Sequence, residues 1–137
     1  MDFDHADPDR AGTLHHVGLC TSNLERSVDF WGWLLGELGY EAKDEWHDGR
    51  SWRKEATYIV IKQANNNEPS YDREAPGLNH LAFHASSRDR VDELTEGIRE
   101  RDDSTLLFEE QHPYAGGYHA LYCENPDEVK VEIVGPE

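Results

Sequence analysis

Two short stretches of the chain are almost the same. Residues 14–19 read LHHVGL and residues 78–83 read LNHLAF, so His80 follows His16 by 64 positions. The likeness continues beyond them: Val91, Leu94 and Ile98 each lie 63 positions after Val28, Trp31 and Leu35. A near-constant offset across two kinds of element marks an internal duplication. A chain of 137 residues suffices for one compact domain and falls short of two ordinary ones. The two copies must therefore share a core or build one site between them.

Each copy reads as β-α-β-β-β. In the first, residues 13–63, TLHHVGLCT is a strand and SNLERSVDFWGWLLGELGY a helix. Ser22 and Glu25 have the spacing of an S-x-x-E capping box. Leu24, Val28, Trp31, Leu35 and Leu38 fall on one helical face. Gly36 and Gly39 sit where the helix should weaken and stop. YEAKDEW and SWRKEA flank HDGR, whose Asp-Gly predicts a hairpin turn, and TYIVIKQ is a further strand. Residues 64–76 are a polar linker rich in turn formers. In the second copy, residues 77–135, LNHLAFHA is a strand and SSRDRVDELTEGIRERD a helix with Val91, Leu94 and Ile98 on its apolar face. STLLFEE, GYHALYCE and VKVEIV are the remaining strands. Residues 1–12, MDFDHADPDRAG, carry no period and read as a disordered acidic arm.

Strand side chains alternate between faces, which sorts the histidines. Val17 and Leu19 should meet the helix, leaving His16 on the opposite face with Gly18 and Cys20. Leu81 and Phe83 should do the same, leaving His80 with Ala82 and His84. Gly18 and Ala82 are both small and leave room for a cavity. In the last strand Val129, Val131 and Ile133 face the helices, while Lys130, Glu132 and Val134 face away. A glutamate in the middle of such a strand is costly unless something pairs with it, or unless the strand is an exposed edge. A divalent metal would pair with it. Two neutral imidazoles and one carboxylate, His16, His80 and Glu132, suit Zn, Fe, Mn, Ni or Co and leave open positions for water or substrate. His15 is adjacent to His16, and a one-residue register slip would exchange them. The alignment with His80 selects His16.

Charge narrows the partners. The chain has 29 Asp and Glu against 13 Lys and Arg, a net charge of −16. Such a surface repels nucleic acid and acidic membranes. It suits a salty cytoplasm, where screening relieves the self-repulsion; an ordinary acidic soluble protein is the alternative. The two cysteines, Cys20 and Cys123, lack metal-site spacing, and no secretory h-region or membrane-length apolar run is found. A reducing, cytoplasmic setting is expected.

The stretches HVGLCTSNLERSVDFW, NHLAFHA and YCENPDEVKVEIV, within paired βαβββ modules, resemble the vicinal oxygen chelate superfamily over residues 13–134. That group includes glyoxalase I, extradiol dioxygenases, fosfomycin-resistance proteins and bleomycin-binding proteins. The resemblance implies an α+β fold, its two modules in tandem forming a curved mixed sheet around a metal-binding cavity. It places the metal ligands on His16, His80 and Glu132. It also matches Tyr122 to a tyrosine that often lies ten residues before the glutamate, as a hydrogen-bond donor to a bound oxyanion; core packing is the competing role. The fourth ligand of glyoxalase I has Val60 as its nearest counterpart here, which favours the three-ligand type. The family turn Asp-Pro-Asp-Gly is replaced by Asn125, Pro126, Asp127 and Glu128, so a local change of the turn is expected.

Around the metal, His84 reads as a base behind the ligands or as a rim residue. Tyr58, Lys62 and Tyr118 are candidate substrate contacts, Lys62 for an anionic group. QHPYAGG reads as a mobile cover. Trp46 and Trp52 flank the hairpin as a hydrophobic wall or a dimer contact. The implied function is a glyoxalase/dioxygenase-type enzyme, a lyase, isomerase or oxidoreductase. It would hold one divalent metal per chain, chelate a small oxygenated substrate through two oxygens, and form a homodimer. The alternatives are a metal-free protein that sequesters a ligand, as the bleomycin-binding relatives do, and an accessory domain with a vestigial site.

Overall fold

The computed structural model describes residues 8–137. His5 and most of the expected acidic arm lie outside them. Residues 8–12 are an exposed turn, in which the Ala11 amide donates to the Pro8 carbonyl at 3.2 Å.

The two β-α-β-β-β runs are both present. The first comprises β1 (His16–Thr21), α1 (Leu24–Glu37), β2 (Glu41–Trp46), β3 (Gly49–Lys54) and β4 (Thr57–Gln63). The second comprises β5 (His80–His84), α2 (Arg88–Glu100), β6 (Thr105–Leu107), β7 (Ala120–Glu124) and β8 (Lys130–Val134). Each run forms a four-stranded mixed sheet, ordered β1-β4-β3-β2 and β5-β8-β7-β6. The first and last strands of each run pair in parallel across the helix connection: His16 lies opposite Tyr58, and His80 opposite Lys130. The fold is α+β, two equivalent modules in tandem.

The modules share one core. Phe30, Trp31, Leu34 and Leu35 of α1 and Ile59 and Ile61 of β4 belong to the same buried cluster as Val91, Leu94 and Ile98 of α2 and Val131 and Ile133 of β8. The Trp31 and Phe83 rings meet edge to face across the modules, centroids 6.4 Å apart. Arg90 of α2 pairs with Glu37 of α1 at 2.5 Å. The helices are thus sandwiched into the shared interior, and the sheet faces that carry His16 and His80 turn outward.

Three local expectations are corrected. The residue that caps α1 is Asn23, whose side chain accepts from the Arg26 amide at 3.1 Å, so the Ser22–Glu25 capping box does not form. Ser22 is spent elsewhere: its amide donates to the Asp127 carboxylate at 3.2 Å, and its hydroxyl donates there too. The apolar face of α1 is wider than expected: Phe30 and Leu34 are buried beside Trp31 and Leu35, and Leu24, Val28 and Leu38 pack half-buried on the same core. Tyr118 lies ahead of β7, half-exposed at 50 %, so strand alternation does not set its direction. Of the hairpin tryptophans, Trp52 is buried and Trp46 exposed.

The Asp127 contact also joins the modules. Thr21 donates to Asp127 at 2.5 Å, fastening the end of β1 to the β7–β8 turn. Glu128, in the position where glycine was expected, has φ +66°, so the turn keeps a left-handed residue without the glycine.

Candidate functional site

β8 is an interior strand, flanked by β5 and β7. This excludes the exposed-edge reading of Glu132. The residue is buried, at 9 % exposure, and register sets it opposite Ala82 on one side and Tyr122 on the other. Its Oε2 lies 3.3 Å from His80 Nε2 and 3.5 Å from Lys130 Nζ. The small side chain of Ala82 lets His80 lean across to the carboxylate. Lys130 is the residue that sequence reasoning left unused, although its place two residues before Glu132 on the same face was the available signal. Its ammonium also lies over the Tyr122 and Phe108 rings, at 5.5 and 5.3 Å.

His80 Nδ1 faces away from the carboxylate and lies 2.7 Å from Asn79 Oδ1. His16 stands on the other sheet, exposed, with its Nδ1 3.0 Å from His15 Nδ1. The His15 ring meets Tyr58 edge on, centroids 5.2 Å apart, and the cations of Lys43 and Arg53 lie over that tyrosine at 5.4 and 5.5 Å. Tyr58 is also the register neighbour of His16.

His80 and Glu132 thus form a close imidazole–carboxylate pair within one module. His80 and Glu132 stand as adjacent donors at a separation compatible with metal–ligand bonds of about 2.0–2.2 Å. Among the described residues, no group of three His, Cys, Asp or Glu gathers to hold a metal ion. His16 does not join the pair within the chain.

Tyr122 is buried beside Glu132, and its hydroxyl donates to the Ala115 carbonyl. Burial raises its pKa, and the Glu132 and Tyr118 charges raise it further, so it remains a neutral donor. The loop expected to cover the site contains short 3-10 turns at Glu109–Gln111 and Ala115–Gly117, the latter tied down by Tyr122. His84 is exposed at the far end of β5, opposite Val134. Lys62 lies opposite Cys20, and its ammonium is 3.9 Å from Asp48. Cys123 is buried and Cys20 exposed.

A separate cleft of about 660 Å³ opens along the Gly18–Ser22 end of β1, bounded by Asn66, Asn67, Tyr71 and the Pro126–Val129 turn. No helix among the described residues is long and apolar enough to cross a membrane.

The sequence profile of the Glyoxalase/Bleomycin resistance protein/Dioxygenase superfamily matches residues 15–122. The match spans His16, His80 and Tyr122 and ends before β8. An uncharacterized protein of Bacillus subtilis (strain 168), YqjT, is 47% identical over 127 residues, covering 90% of this chain and 98% of that protein. The crystal structure of a glyoxalase-like protein from Bacillus halodurans has a TM-score of 0.91 at 48% identity, covering 95% of this chain and 100% of that one. The fosfomycin resistance protein FosX of Listeria monocytogenes shares the fold, with a TM-score of 0.64 at 17% identity over 92% of this chain and 93% of that one.

Proposed function

Because the chain belongs to the glyoxalase/bleomycin resistance protein/dioxygenase superfamily, we propose that it is a metal-dependent enzyme acting on a small oxygenated substrate. The observation that carries this reading is the His80–Glu132 pair: a buried carboxylate and an imidazole nitrogen 3.3 Å apart on an outward sheet face. A strand interior rarely keeps such a carboxylate without a compensating cation. His16 is the third ligand in this reading. It stands on the equivalent face of the other module, exposed and at the start of the equivalent strand.

A second copy of the chain would bring that face opposite His80 and Glu132, so the reading includes a homodimer whose site draws on both chains. When bound, the metal supplies Lewis-acid polarisation of two neighbouring substrate oxygens. The protein's own residues hold and shape that site. Glu132 supplies the compensating charge. Lys130 lies beside it with an ammonium able to attract a substrate anion. Tyr122, kept protonated by burial, offers a hydroxyl once its loop contact with Ala115 opens. Tyr58, Lys62, Tyr118 and His84 would border the substrate from both modules.

One observation favours a second reading. Lys130 already neutralises Glu132 from 3.5 Å, as a metal-free, ligand-sequestering protein would require. Elemental analysis of untagged protein decides between them. About one transition metal per chain, lost in His80→Ala and Glu132→Gln, is the outcome expected of the enzyme. Wild-type protein that takes up no metal even on reconstitution would leave the sequestering protein. The molar mass in solution, measured by light scattering, tests the dimer.

A further inference from the structure

The residues just ahead of the two duplicated histidines both reach the Nδ1 of the histidine that follows. Asn79 Oδ1 lies 2.7 Å from His80 Nδ1, and His15 Nδ1 lies 3.0 Å from His16 Nδ1. Adjacent residues inside a strand point to opposite faces and do not touch in this way. Here contact is open to them because β1 begins at His16 and β5 at His80. His15 and Asn79 each precede the first paired residue, where alternation is not yet imposed.

In the second module the direction of the hydrogen bond is fixed. The Asn79 amide nitrogen donates to the Arg73 carbonyl at 3.0 Å. Arg73 is itself anchored through its guanidinium to the half-buried Glu124. With its NH₂ committed there, Asn79 offers only its oxygen to His80, and Nδ1 must be the donor. Nε2 is then the nitrogen turned toward Glu132, 3.3 Å away. In the first module the contact joins two Nδ1 atoms, and its direction follows from which ring holds the proton. The His15 ring is lodged against Tyr58, which lies beneath the cations of Lys43 and Arg53.

We propose that Asn79 and His15 are positioning residues, each accepting a hydrogen bond from Nδ1 of the next histidine so that His80 and His16 present Nε2 on the open sheet face. The inference builds on the reading of these histidines as metal ligands. A ligating imidazole usually donates its other N–H to a carboxylate, carbonyl or water that sets its tautomer and ring orientation, and loss of that partner weakens metal binding about 10–100-fold. The duplication has kept the position and changed the residue: imidazole in one module, amide in the other.

Two measurements test this. The first needs no metal. In ¹⁵N spectra of the metal-free protein, at about pH 8 to stay above the ordinary imidazole range, Nδ1 of His80 and of His16 should each carry a proton. Asn79→Ala should move His80 toward the Nε2–H form that a free imidazole prefers, and Asn79→Asp should restore the wild-type signal. A bare Nδ1 on His80 in the wild type overturns the proposal. The second is zinc affinity by chelator competition. Asn79→Ala and His15→Ala should each weaken binding about 10–100-fold, while the module exchanges Asn79→His and His15→Asn stay within a few-fold of wild type. Unchanged affinity in both alanine variants also overturns it. Wild-type protein that binds no zinc would defeat the metal reading alone, because the imidazole spectra still decide the hydrogen bonds.

Discussion

Glu128 carries a side chain where the backbone asks for none. Its φ of +66° is held by neighbours: Asn125 Oδ1 accepts from the amides of Asp127 and Val129, both at 2.9 Å, and the Glu128 amide donates to the Asn125 carbonyl at 2.9 Å. A left-handed residue with a Cβ costs about 1–2 kcal/mol, partly offset by the entropy that glycine loses on folding. Glu128→Gly should therefore raise stability by about 1 kcal/mol in urea unfolding; a loss would mean that the side chain itself supports the turn. Cys123 makes a second residue-scale case. Burial, with a smaller contribution from the Glu124 charge, pushes its thiol from 9.0 up to about 12. The unfolded chain releases that proton near 9 and the folded chain keeps it. The thiol's contribution to stability is therefore whole below pH 9 and lost as the pH climbs toward 12. Cys123→Ala should flatten the alkaline fall of stability, by up to about 1.4 kcal/mol per pH unit, read as the difference between the two proteins' unfolding curves. Identical slopes would show that the thiol does not titrate with unfolding.

At the scale of elements, the contact between α1 and α2 turns on one glycine. A Cβ placed on Gly97 would come within 2.5 Å of the Trp33 ring, over which Arg101 sits at 4.9 Å. Helix propensity alone makes Gly97→Ala favourable by about 1 kcal/mol. The clash should outweigh it, with a net loss of about 1–2 kcal/mol in thermal or urea unfolding; a stabilised variant would show that Trp33 moves aside. The helices themselves were legible from the apolar spacing of Val91, Leu94 and Ile98, all of them buried. The start of α1 was not. Ser22 and Glu25 satisfy the local capping pattern, yet Asp127, far away in sequence, takes the Ser22 amide and hydroxyl and leaves the cap to Asn23. A local motif lost to a long-range carboxylate because the latter accepts from Thr21 and Ser22 at once.

At the scale of the whole molecule, the excess of carboxylates dominates. With a net charge of −16 on 137 residues, the folded chain repels itself. Raising KCl to about 1 M shortens the screening length from about 10 Å at 0.1 M to about 3 Å. The denaturation midpoint should rise over that range, and equal stability at low and molar KCl would remove the case for adaptation to salt. Glu132, buried next to Lys130 and His80, is shielded from solvent and should keep its pairing across the same titration.

The sequence by itself determined the duplication, the element order and which face β1, β5 and β8 turn to the helices. All three follow from periodicity, which a chain writes locally. It also singled out His80 and Glu132, because a repeated histidine and an isolated strand glutamate are legible without knowing their neighbours. Only the tertiary structure decided that β8 is an interior strand, that Lys130 shares Glu132 with His80, and that Asn79 and His15 reach round to Nδ1. Strand order, side-chain reach and the direction of a hydrogen bond depend on partners brought together from distant or unpaired parts of the chain. His16 marks the boundary: the repeat identified it, and the packing of the helices between the modules left it facing outward, apart from the pair it duplicates.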